Sequence, residues 1–142
     1  MATGLILRQR VAICFAAGVA GGLSVVLCSQ LLFGIGVSGM LGVQAPAGLD
    51  PPGVYRPLLW GGLWGIPFGL VVKMVWDRLY VFGLIYFIAP VIALYTVFAP
   101  MHGMGFFGAE AGPGMPVYLM LVNVPYGIVT AVVARLLIGG KP

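Results

Sequence analysis

Residues 101–116, "MHGMGFFGAEAGPGMP", hold the only histidine of the chain and three of its seven methionines. Thioether sulfur and imidazole nitrogen are ligands that suit copper. Met101, His102, Met104 and, farther along, Met115 therefore make a candidate soft-metal set. The spacing argues against it. Four glycines and a proline separate Met104 from Met115, and ordering such a segment around one ion costs roughly 1–2 kcal/mol of backbone entropy per residue fixed. A metal site also needs groups behind its ligands to orient them. The expected arrangement is a compact loop that holds no metal, with Phe106 and Phe107 against an apolar neighbour and Glu110 exposed.

Other reactive side chains are scattered singles. The sequence offers no paired carboxylates, no Ser/His/Asp set and no phosphate loop, so no catalytic residue is assigned and an enzyme is not expected. Cys14 and Cys28 share one apolar run. On a helix they stand about 21 Å apart, beyond disulfide reach, and read as apolar fillers. Trp60 and Trp64 are one helical turn apart. They are either anchors at the membrane–water boundary or a stacking surface for a planar ligand. A lipid, a quinone or a pigment such as a carotenoid is thus the cofactor class left open, with none intrinsic.

The elements that carry these residues follow from composition. Of 142 residues, 61% are hydrophobic and 7% charged, against roughly 25% charged in soluble domains. About 20 apolar residues cross the ~30 Å hydrocarbon core, and four runs qualify: 11–35, 58–76, 79–99 and 117–138. They are continuously apolar, whereas barrel strands alternate over about ten residues. The expected fold is a single all-α integral membrane domain of four transmembrane helices. The first run resembles a signal peptide but is too long, and no small-residue cleavage pattern follows it; it is expected to remain as a helix.

Charge sets the orientation. With a cytoplasmic N-terminus, Arg8, Arg10, Lys73, Arg78, Arg135 and Lys141 all fall inside and only Arg56 outside, a strong positive-inside bias. Both termini are then cytoplasmic, and the Gly/Pro-rich segments 36–57 and 100–116 are outside. The net charge of +4 is accounted for by topology, and no nucleic-acid partner is expected.

Two small-residue patterns concern packing. Gly61, Gly65 and Gly69 recur every fourth residue in "LLWGGLWGIPFGL", and Gly18 and Gly22 offer a matching face. Such faces let membrane helices approach closely, so the first two helices are expected to pack along them, with Gly62 turned elsewhere. Pro67, Pro90 and Pro125 fall near mid-helix and are expected to kink. Each removes an N–H and frees the carbonyl four residues earlier, at Leu63, Tyr86 and Leu121. Ser24, Gln30, Tyr95, Thr96, Asn123 and Thr130 are expected to hydrogen-bond between helices, and Lys73 to pair with Asp77. No Asp, Glu, His, Lys or Arg stands near the middle of a run, so ion-coupled transport is not supported.

The stretch "VYRPLLWGGLWGIPFGL", a tight "WDR" turn and a Gly-rich loop before the last helix resemble a loose group of small polytopic bacterial inner-membrane proteins. The likeness covers most of the chain. It implies the topology and no activity. The function expected is that of a non-catalytic accessory subunit of a larger membrane complex, respiratory or photosynthetic, with other membrane subunits and lipid as partners. The alternatives are a small homo-oligomeric channel for a neutral solute, using the proline-bearing midplane, and periplasmic copper handling.

Overall fold

The computed structural model describes residues 4–142. The first three, which the charge pattern assigns to the cytoplasm with the N-terminus, lie outside the described residues. The chain forms α1 (Leu7–Gly34), the short α2 (Val37–Met40) and α3 (Tyr55–Val75). A 3-10 turn at Trp76–Arg78 leads into α4 (Leu79–Tyr86) and α5 (Ile88–Ala93). A π-helical segment (Leu94–Phe98), α6 (Ala99–Met101), a 3-10 segment (Phe106–Ala111) and α7 (Met115–Ile138) complete it. Among the described residues there is no strand.

Among the described residues, three helical runs are long and apolar enough to cross a membrane: Leu7–Gly34, Tyr55–Met101 and Met115–Ile138. The middle run contains the second and third expected segments, and it doubles back at Trp76–Arg78. Across that turn the ring of Phe68 lies 5.4 Å from Phe82, and that of Trp60 lies 4.6 Å from Phe98. Asp77 is exposed at the turn and pairs with Lys141 at 3.0 Å, not with Lys73. Arg135 stacks over Trp76 and Tyr80, and its guanidinium donates to the Trp76 carbonyl.

The helices overrun the apolar runs. α1 begins at Leu7, ahead of Arg8 and Arg10, because the Gln9 side chain accepts a hydrogen bond from the Ile6 N–H at 3.0 Å and caps the first turn. α7 begins at Met115 with Pro116 in its first turn, where a missing N–H costs nothing. The expected single helix over 79–99 is instead interrupted at Phe87 and widened into the π segment. Pro90 has no N–H to continue the ladder there. α3 and α7 are helical without interruption through Pro67 and Pro125.

α1 packs mainly against α3 and α7, and α4 lies on α7. The α1–α3 contact runs along the expected glycines. A methyl group on Gly61 would stand 2.8 Å from the Gly22 Cα, and one on Gly69 would stand 2.8 Å from the Val11 Cα. On Gly65 it would strike the Cys14 carbonyl. Gly62, expected on another face, is also buried against α1, but what it meets is the Phe15 ring rather than backbone. A second close contact pairs Gly83 of α4 with Gly127 of α7.

Several polar side chains behave otherwise than expected. Ser24, Thr96, Asn123 and Thr130 donate back to carbonyls of their own helices. Tyrosines make the interhelical bonds instead. Tyr126 donates to the Gly61 carbonyl at 2.6 Å and Tyr86 to the Trp64 carbonyl at 2.7 Å. The carbonyl of Leu121, freed by Pro125, accepts a weak bond from the Cys28 thiol at 3.7 Å. Ser29 ties the 41–54 loop down: its hydroxyl pairs with the Tyr118 hydroxyl and accepts from the Ala47 N–H, while Gln30 donates to the Ala47 carbonyl.

Candidate functional site

α3 presents two stripes with the same four-residue repeat. Gly61, Gly65 and Gly69 form the smooth one, and it draws α3 against α1. Trp60, Trp64 and Phe68, each one position earlier, form the bulky one. It faces the returning arm, where Phe98, Tyr86 and Phe82 stand opposite. Glycine on one side lets backbones touch, and tryptophan on the other holds them apart. Between α3 and the returning arm a space remains.

That space is a cleft of about 590 Å³, within the ~300–1,000 Å³ range of small-molecule sites. It lies toward the end of the bundle where α3 begins and is partly open. Trp60 and Trp64 wall it from α3, Pro90, Leu94 and Phe98 from the opposite arm, and Asn123 and Tyr126 from α7. Arg56, Met101, His102 and Met104 stand at its mouth. Two candidates that the sequence separates, the tryptophan pair and the Met/His cluster, thus meet in one cleft. Met115 does not join them; it packs beneath Gly108, where a methyl group would lie 3.0 Å from its Cγ.

Hydrogen bonds already made define what the polar groups can still offer. The Nδ1 of His102 lies 2.7 Å from the Phe98 carbonyl. A carbonyl only accepts, so Nδ1 carries the proton and Nε2 is the ring nitrogen left to meet a ligand. Asn123 gives one amide hydrogen to the Leu119 carbonyl and keeps its second hydrogen and its oxygen. Tyr126 has donated its hydroxyl proton to Gly61 and keeps oxygen lone pairs. Arg56 contributes the one formal charge of the lining and only donates.

The loop at the mouth is ordered by its backbone. The N–H of Met104 donates to the Ala99 carbonyl, and that of Glu110 to the Met104 carbonyl. Gly103, Gly105 and Gly108 take positive φ, and so does Phe107, at 62°, which is unusual for a bulky side chain. Phe107 is held there against Tyr95, ring centres 5.3 Å apart, and the Tyr95 hydroxyl donates to the Pro116 carbonyl. Phe106 turns outward and is 65% exposed, and Glu110 is exposed. Among the described residues, no three His, Cys, Asp or Glu side chains converge on a possible metal position.

The three prolines do not share a site. Pro90 lines the cleft, Pro125 lines a second, apolar groove between α1 and α7, and Pro67 lines neither. The sequence misses Arg56, Asn123 and Tyr126 as cleft residues. They come from segments far apart in the chain, and only the π segment, a feature frequent at functional sites, marks the place in the structure.

No protein-family model, no curated protein and no solved structure matches this chain.

Proposed function

We propose that this protein crosses a bacterial inner membrane four times, with both termini cytoplasmic, and serves as a non-catalytic accessory subunit of a larger energy-transducing membrane complex. The basic residues support the orientation, since all but Arg56 collect at one end. The fold-back at Trp76–Arg78 supports two crossings within the Tyr55–Met101 run.

The observation that carries the subunit reading is the surface at the end where α3 begins. There Met40 is 86%, Met101 74%, Phe106 65% and Tyr55 59% exposed. Met40 and Phe106 belong to the connecting segments, and Tyr55 and Met101 are the end residues of their helical run; apolar exposure of this kind at one end of the bundle supports a surface that meets a partner. The channel alternative draws no support from the dispersed prolines.

The test is extraction from the native membrane in mild detergent, followed by native electrophoresis and mass spectrometry. The chain should migrate with a complex much larger than 14.9 kDa, and Met40→Ala with Phe106→Ala should release it. Phe107 is left in place because it packs on Tyr95 within the chain. Migration as a small homogeneous oligomer, unaffected by these substitutions, would support the channel instead.

A further inference from the structure

We infer that the cleft is a binding site for a planar, oxygen-bearing membrane amphiphile of the quinone/quinol class, its ring against Trp60 and Trp64 and its oxygens met by Arg56, His102 and Asn123. This goes beyond the subunit reading and holds whether or not a partner complex exists.

Shape gives the first argument. A flexible acyl chain needs only a greasy groove, and the groove between α1 and α7, lined by leucines, Pro125 and Cys28, supplies one. The cleft differs in having rigid aromatic walls. Trp60 is held edge-on to Phe98, and the Tyr86 bond to the Trp64 carbonyl fixes the spacing of the two arms below. Flat walls that do not collapse favour a flat guest, since indole faces stack on planar rings.

Polar groups give the second. They lie at two levels. Arg56 and His102 stand at the mouth, and Asn123 is seven residues into α7 from Pro116, about 10 Å deeper at 1.5 Å per residue. Donors and acceptors are mixed. Arg56 and the remaining Asn123 hydrogen suit a carbonyl, and His102 Nε2 and the Asn123 oxygen suit a hydroxyl. A ring that carries oxygens on opposite edges, as carbonyls when oxidised and as hydroxyls when reduced, is served in both forms. A phosphate would use the guanidinium and leave the deeper amide idle.

The third argument is backbone geometry. The wall opposite the tryptophans is where the helix departs from α-form, through Pro90 and the π segment that contains Leu94 and Phe98. The departure moves these side chains off the register of a regular helix, at a place where a regular helix would have packed against α3.

The purified full-length protein in nanodiscs of neutral lipid should be titrated with a decyl-tailed benzoquinone while tryptophan emission is followed. Trp60 and Trp64 should quench saturably. Trp76, isolated in a Trp60→Phe/Trp64→Phe variant, should show only the linear quenching of a probe dissolved in lipid. Leu94→Phe, which fills the open cleft, and Asn123→Leu should each weaken binding by about tenfold or more, the scale of one lost hydrogen bond or stacking contact. Melting temperature monitors folding, and Leu94→Phe carries the test should Asn123→Leu fold poorly. Linear quenching in the wild type would overturn the inference. So would saturable quenching indifferent to Leu94→Phe. Abolition of quinone binding by phosphatidylglycerol nanodiscs, with that lipid retained through Arg56, would assign the cleft to an anionic headgroup and overturn it as well.

Discussion

Which glycine is replaced matters more than how many there are. A side chain on Gly65 meets the Cys14 backbone, which cannot move without parting α1 from α3, whereas one on Gly62 meets the end of the Phe15 ring. Gly65→Leu should therefore lower the melting temperature in detergent well below that of Gly62→Leu, with overpacking worth about 1–3 kcal/mol. Equal losses would mean that the backbone contact is not what holds the pair. The rim residues make a second case. His102 and Met104 share the cleft mouth with Met101, but Met101 is 74% exposed and Met115 is occupied beneath Gly108. His102→Ala and Met104→Ala should leave the protein assembled, and metal analysis of the wild type should find no stoichiometric copper. Copper retained by the wild type and lost in His102→Ala would restore the metal site that the Met and His ligand types first suggest.

Among the elements, what was legible in the sequence is what composition and short-range spacing control. Apolar runs located the long helices, and the every-fourth-residue glycines located the α1–α3 contact. The Gly83–Gly127 contact was not legible, because each glycine stands alone in its helix and only the fold brings them together. The π segment was equally hidden: Leu94–Phe98 reads as ordinary apolar helix, and the widening depends on where Pro90 and the opposing aromatics force the backbone. The cleft joins α1, α3, the returning arm and α7, so no local pattern could show it, although Trp60 and Trp64 were visible as candidates. Contact of backbones should count for more here than the hydrogen bonds beside it. Gly127→Leu should destabilise α4 against α7 by several degrees or prevent folding. Tyr126→Phe, which removes one hydroxyl from a helical carbonyl, should cost only about 0.5–1.5 kcal/mol. Thermal melts of the two variants in the same detergent make the comparison, and a larger loss for Tyr126→Phe would reverse the ranking.

For the molecule as a whole, orientation determines what the cleft can meet. If α3 begins at the periplasmic side, the mouth with Arg56 and His102 faces away from the cytoplasm, and the Asp77–Lys141 pair and the Arg135 stack face into it. On the proposed orientation Arg56 is the exception to the positive-inside bias, and in the structure it is a cleft residue, so the proposed ligand would oppose, at this one position, the pressure that clears basic residues from outer segments. Cysteine labelling tests the orientation. Gly48 has open space where a side chain would grow and Ala109 is exposed, so Gly48→Cys and Ala109→Cys suit the two outer segments, in a background of Cys14→Ala and Cys28→Ser. Gly140, also open, serves for the opposite end. An impermeant maleimide added to intact cells with a permeable outer membrane should label Gly48→Cys and Ala109→Cys, and should reach Gly140→Cys only after the inner membrane is broken. The reverse pattern would turn the cleft toward the cytoplasm. Labelling of Gly48→Cys without Ala109→Cys would put the two ends of the Tyr55–Met101 run on opposite sides of the membrane, which the fold-back at Trp76–Arg78 does not allow, and would overturn the four-crossing topology.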